Sequence, residues 1–153
     1  MIDLKTIRTI HFVGAGGAGM SALAHMMLAK GKRVSGSDLY HSEATQALES
    51  AGAHLAYRHA ASNIPPDAEA VVYTVAVDEQ NPELAEAKKR ALPLFTYAEF
   101  LGLVSAGFRT IAVSGTHGKT STTGMIARIF RDAGLDPSVI VGGTLRDLGA
   151  NYA

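Results

Sequence analysis

Two glycine-rich stretches hold the residues best suited to chemistry. One is Gly115-Thr-His-Gly-Lys-Thr-Ser121, between an apolar run at residues 111–113 and a segment where Met125, Ile126, Ile129 and Phe130 recur at helical spacing. A buried strand, a glycine turn and a helix in that order make a phosphate cradle. Gly115 and Gly118 let backbone N–H groups point at an anion. Lys119 reaches the β- and γ-phosphates of a nucleoside triphosphate as a mobile point charge. The Thr120 hydroxyl is placed to sit on Mg²⁺. The general P-loop pattern asks for glycine five residues before Gly118, where Val113 stands, so this is a tighter form of the motif.

The other stretch is Gly14-Ala-Gly-Gly-Ala-Gly19, a G-x-G-x-x-G match after an apolar strand at residues 9–13. A helix is expected over residues 21–30, stopped by Gly31, and a second strand over residues 33–36 ends at Ser37-Asp38. Asp38 stands close to the spacing of about 20 residues at which an acid meets a ribose in dinucleotide-binding folds. It is equally suited to closing a turn or capping the next helix. On these residues alone, an NAD-binding oxidoreductase or regulatory domain is an open reading.

These loops need elements to position them. The pattern predicts helices over residues 43–51, 82–91, 97–104 and 119–131. Strands are expected at residues 54–57, 70–77, 94–95, 111–113 and 138–141. Asn81 and Pro82 are the cap and first position of the 82–91 helix. Strands alternating with helices predict an α/β fold: a Rossmann-like parallel-sheet domain over residues 1–106, then the start of a P-loop α/β domain over residues 107–153. One βαβ unit cannot cover both faces of a parallel sheet, so the second domain is read as incomplete and the chain as a fragment.

Composition narrows the partners. Among 153 residues, 14 Lys+Arg balance 14 Asp+Glu, so no basic field draws nucleic acid. There is no cysteine, which excludes disulfides and thiolate chemistry and fits a cytoplasmic protein. Residues 10–29 lack Asp, Glu, Lys and Arg, yet four glycines between Gly14 and Gly19 argue against a membrane helix, at a cost of about 1 kcal/mol each. A strand, turn and buried helix explain that run, with no membrane insertion.

Three stretches resemble the Mur ligases of bacterial peptidoglycan synthesis: Gly14-Ala-Gly-Gly-Ala-Gly-Met-Ser21, Ser35-Gly-Ser-Asp38 and Gly115-Thr-His-Gly-Lys-Thr-Ser-Thr-Thr123. Asn81-Pro-Glu-Leu84 and Val141-Gly-Gly143 agree in place. The first loop and His117 favour the branch that adds L-alanine over the tripeptide-recycling and D-glutamate-adding branches. Ser121, Val75 and Arg58 depart from the common pattern; the last two bear on the details of uridine binding. The resemblance covers nearly all of this chain and about the first third of a whole ligase.

It implies that UDP-N-acetylmuramate is held by Gly14, Gly16, Gly17, Ala18, Gly19 and Met20, with Ser37, Asp38 and His59 near the uridine. ATP would lie on Gly115, Thr116, His117, Gly118, Lys119, Thr120 and Ser121. Lys119 and Thr120 would be catalytic, with Thr120 holding Mg²⁺. The implied activity is ATP-dependent joining of L-alanine to UDP-N-acetylmuramate in the cytoplasm, serving cell-wall synthesis and so cell shape and division. The fragment alone is expected to be inactive.

Overall fold

In a computed structural model, residues 4, 6–145 and 150–152 are described. The chain runs β1 (Thr9–Val13), α1 (Ala18–Ala29), β2 (Arg33–Ser37), α2 (Glu43–Ser50), β3 (His54–Ala56), β4 (Ala70–Tyr73), α3 (Pro82–Lys89), β5 (Leu94–Thr96), α4 (Tyr97–Ser105), α5 (Lys119–Asp132), β6 (Ile140–Leu145) and β7 (Ala150–Tyr152). A short 3₁₀ turn, Ala61–Asn63, links β3 to β4. The first five strands form one parallel sheet in the order β3-β2-β1-β4-β5. The order reverses between β1 and β4, and ligands of such sheets bind beyond the strand C-termini at that switch point.

Strand periodicity sorts the core. All five residues of β1 are buried, as expected for a central strand covered on both faces. Ile10 and Phe12 join Leu23 and Met27 of α1, Leu48 of α2 and Phe100 of α4 on one face. The Phe12 and Phe100 rings meet edge to face, centroids 6.2 Å apart. Val13 and Val71 point the other way, packing with Leu84 and Ala87 of α3. Residues 10–29 are thus β1, a turn and α1, and no helix among the described residues is long and apolar enough to cross a membrane.

Several expectations are corrected. α1 begins at Ala18 rather than residue 21, so Gly19 lies inside the helix. β4 ends at Tyr73 rather than residue 77. Its neighbours run out there, since Val13 pairs with Tyr73 and Thr96 is the last partner on the other side. The chain turns instead, with Val77 N–H bonding Thr74 O at 3.1 Å and Val75 84% exposed.

Residues 111–113 form no strand, and Ile111 is exposed. A strand needs a neighbour to pair its backbone, and among the described residues none lies beside this run. Met125 and Ile129 of α5 likewise face solvent, leaving Ala127 buried against Val139 and Val141. β6 starts at Ile140, runs through Gly142-Gly143 and pairs antiparallel with β7, so the segment after residue 109 is not the expected βαβ unit. Residues 146–149 and 153 of the expected second domain lie outside the described residues.

Candidate functional site: two glycine-opened helices

Helix starts divide the molecule into two kinds. α2, α3 and α4 are capped by the side chains of Ser42, Asn81 and Thr96, and each has an acid in its first turn: Glu43, Glu83 and Glu99. These groups satisfy orphan N–H donors and complement the positive end of the helix dipole. α1 and α5 differ. Their caps are Gly17 and Gly118, which offer no side-chain bond, and neither first turn contains an acid. Both starts therefore lack the side-chain cap and the first-turn acid of the other helices, the local chemistry of an anion site.

The first loop is held from below. Ser37 O, at the end of β2, accepts Gly14 N–H at 2.8 Å and Ala15 N–H at 2.9 Å. Asp38 Oδ2 accepts Gly16 N–H at 2.7 Å, while Oδ1 accepts Leu39 N–H at 2.8 Å and Tyr40 N–H at 3.1 Å. Asp38 therefore closes its own turn and straps the glycine loop.

Close approach explains the glycines. Gly14 has φ +80°, and a Cβ there would lie 2.5 Å from Thr74 Cγ2. At Gly19 a Cβ would lie 2.6 Å from the Tyr97 ring, so α4 packs directly against the start of α1. Met20 is buried beneath, at 3% exposure.

Ser37 and His59 belong to a buried polar node that sequence reasoning missed. At its centre is Glu83 of α3, 0% exposed. Glu83 Oε2 accepts His11 Nε2–H at 2.7 Å and Ser37 Oγ–H at 2.8 Å. Oε1 accepts His59 Nδ1–H at 3.0 Å, Asn63 Nδ2–H at 3.1 Å and Ala60 N–H at 3.3 Å. Burial pushes the Glu83 carboxyl up, but the bonds from His11, Ser37 and His59 outweigh it and hold the group below its ordinary value. The missed signal was alternation: His11 in β1 and Ser35 and Ser37 in β2 are polar residues on one face of buried strands, and they require a polar partner opposite.

The second loop is more open. Gly115 and Gly118 have φ +153° and +79°, and a Cβ on Gly118 would meet nothing closer than 4.0 Å. Lys119 Nζ folds back on Gly115 O at 2.5 Å and Thr116 O at 3.2 Å, closing a small ring on an exposed side chain. Thr116, His117 and Ser121 are exposed and Thr120 is half-buried. Among the described residues no group of three or more His, Cys, Asp or Glu could hold a metal. Thr120 suits Mg²⁺ only in the usual manner of that ion, with one or two protein ligands and the rest from phosphate and water.

Known proteins agree with this layout. The model of the Mur ligase family, catalytic domain, matches residues 9–109. A UDP-N-acetylmuramate–L-alanine ligase of Clostridium kluyveri is 49% identical over 150 residues, 97% of this chain and 33% of the relative. The crystal structure of a UDP-N-acetylmuramate-alanine ligase from Thermotoga maritima superposes with TM-score 0.87 at 34% identity, over 94% of this chain and 34% of that one. A UDP-N-acetylmuramate:L-alanyl-γ-D-glutamyl-meso-diaminopimelate ligase from Neisseria meningitides also reaches 0.87, at 27% identity, over 96% of this chain and 46% of that one. The chain spans about a third of the length of the curated relative. By sequence match, sheet order and glycine-opened helices, the chain belongs to the Mur ligase family.

Proposed function

We propose that this chain is the nucleotide-sugar-binding and phosphate-loop portion of an ATP-dependent ligase that joins L-alanine to UDP-N-acetylmuramate during peptidoglycan precursor synthesis in the cytoplasm. The observation that carries the reading is the pair of uncapped glycine N-termini, in a chain 49% identical over 97% of its length to an L-alanine ligase. An NAD-dependent oxidoreductase would use the first loop and leave the second without a role.

In this reading residues 1–106 bind the UDP-sugar and residues 107–153 begin the ATP-binding domain. The diphosphate lies against the loop at Gly14, Gly16, Gly17 and Ala18 and the open N–H groups of Gly19 and Met20. Asp38 and His59 flank the uridine, while buried Ser37 serves the site from beneath. Gly115, Thr116, His117, Gly118 and Ser121 cradle the ATP phosphates, and His117 shapes the loop without acid–base work. Lys119 stabilises charge on the β- and γ-phosphates during transfer. Thr120 contributes one oxygen to Mg²⁺, which supplies charge neutralisation at the phosphates when bound. The muramate carboxylate accepts the γ-phosphoryl group to give an acyl phosphate, and the L-alanine amine displaces phosphate to form the amide.

Thermal melting of the chain tests this assignment. The melting temperature should rise with UDP-N-acetylmuramate and, separately, with ATP and Mg²⁺, since each binds only the folded state. Gly17→Asp, whose Cβ would meet nothing closer than 3.6 Å, should abolish the first rise and spare the second; Lys119→Ala should do the reverse. Loss of both rises in either variant would contradict two separate loops.

A further inference from the structure

We infer that Glu83 is a positioning residue for the first glycine loop, orienting Ser37 below the loop and fixing the ring of His59 beside it; this rests on the reading that the loop holds the UDP-sugar. The Glu83 side chain is fully buried. It acts through two short paths. Its carboxylate holds the Ser37 hydroxyl, and the carbonyl of the same residue receives Gly14 and Ala15 N–H. Its other oxygen holds His59 Nδ1 at 3.0 Å, with Ser37 Oγ 3.1 Å from the same nitrogen.

Proton bookkeeping makes the arrangement specific. An ionised carboxylate can only accept, so all five groups that reach Glu83 must donate. His11 therefore carries its proton on Nε2, and its Nδ1 accepts from Ser35 Oγ–H at 2.8 Å. His59 carries its proton on Nδ1. Its Nε2 is left as an acceptor on a side chain 17% exposed, able to take an N–H or O–H from a bound nucleotide. Removing the carboxylate alone would leave its five donors without their acceptor, so Glu83 contributes stability as well as direction. What the carboxylate supplies here, and an apolar residue would not, is the direction of five donors.

Glu83→Gln in the 153-residue chain keeps the shape but replaces one accepting oxygen by a donating amide. With folding checked by circular dichroism, two readouts follow. Imidazole nitrogen–proton correlation spectra should show Nε2–H on His11 and Nδ1–H on His59 in the wild type, and a changed tautomer on at least one of them in the variant. The Kd for UDP-N-acetylmuramate should rise about tenfold or more, as for a buried donor left without its acceptor. Ser37→Ala, which cuts only the hydroxyl path, should raise Kd several-fold; it carries the test if the Gln variant does not fold. A wild-type His59 protonated on Nε2, or wild-type affinity in the folded variants, overturns the inference. Wild-type protein with both expected tautomers but no affinity for the UDP-sugar contradicts the ligand reading instead, and the tautomer change alone then decides whether Glu83 orients the node.

Discussion

Gly16 and Asp38 are coupled through a contact close enough to measure. Gly16→Ala would place a Cβ 2.8 Å from Asp38 Oδ2 and 3.0 Å from Thr45 Cγ2. Thr45 cannot yield easily, because it is fully buried in α2 and locked by its reciprocal cap with Ser42. Asp38 must move, which breaks its bond from Gly16 N–H. Overpacking costs about 1–3 kcal/mol, and a half-buried bond to a carboxylate contributes about 1 kcal/mol net, so Gly16→Ala should destabilise by about 2–4 kcal/mol.

Asp38→Ala alone should cost about 1–2 kcal/mol, since two of its three bonds go to exposed N–H groups. In the double variant the new methyl enters the space the carboxylate left, and the shared bond is lost only once. The two effects should then fall short of additivity by about 1–2 kcal/mol. With no tryptophan in the chain, urea denaturation followed by far-UV circular dichroism is the suitable assay. Additivity within about 0.5 kcal/mol would refute the claim that Asp38 straps the loop at Gly16.

Three further predictions follow from the same geometry. Lys119→Ala removes only exposed contacts to the chain's own carbonyls, so stability should shift by less than about 0.5 kcal/mol while ATP affinity falls at least tenfold; unchanged affinity in a titration would count against the phosphate role. Phe100→Ala empties the centre of the larger core cluster and should cost about 3–5 kcal/mol by denaturation, with a far smaller loss showing that α4 is not pinned there. Acid should weaken the fold in two stages. Burial lowers the His25 pKa from its ordinary 6.5, so protonation favours the unfolded chain as pH falls below that value; Glu83, held below its ordinary 4.5, contributes stability above 4.5 that is lost as pH falls through its folded value. Melting against pH should show both stages, with His25→Leu removing the upper and Glu83→Gln weakening the lower, to which Glu69 and Glu99 also contribute.

The five-stranded sheet and its helices were largely legible because their signals are local. Glycine turns, Pro82 after Asn81 and apolar runs of strand length mark elements whose partners lie in the same sheet. Strand ends were less legible, since β4 stops where its neighbours stop rather than where its own apolar run does. The second segment shows the same dependence more strongly: residues 111–113 have strand composition but no strand beside them among the described residues. Both glycine loops could be read from residue type and spacing. Glu83 could not be read that way, because its partners lie 72, 46 and 24 residues away along the chain, in His11, Ser37 and His59. Only the two-residue periodicity of buried strands places them on one face.

What the first loop binds separates a nucleotide-sugar site from a dinucleotide site. Calorimetric titration of residues 1–153, checked first for folding, should show saturable binding of UDP-N-acetylmuramate and none of NADH. Binding of NADH without the UDP-sugar, or of neither by a folded sample, would contradict the nucleotide-sugar reading.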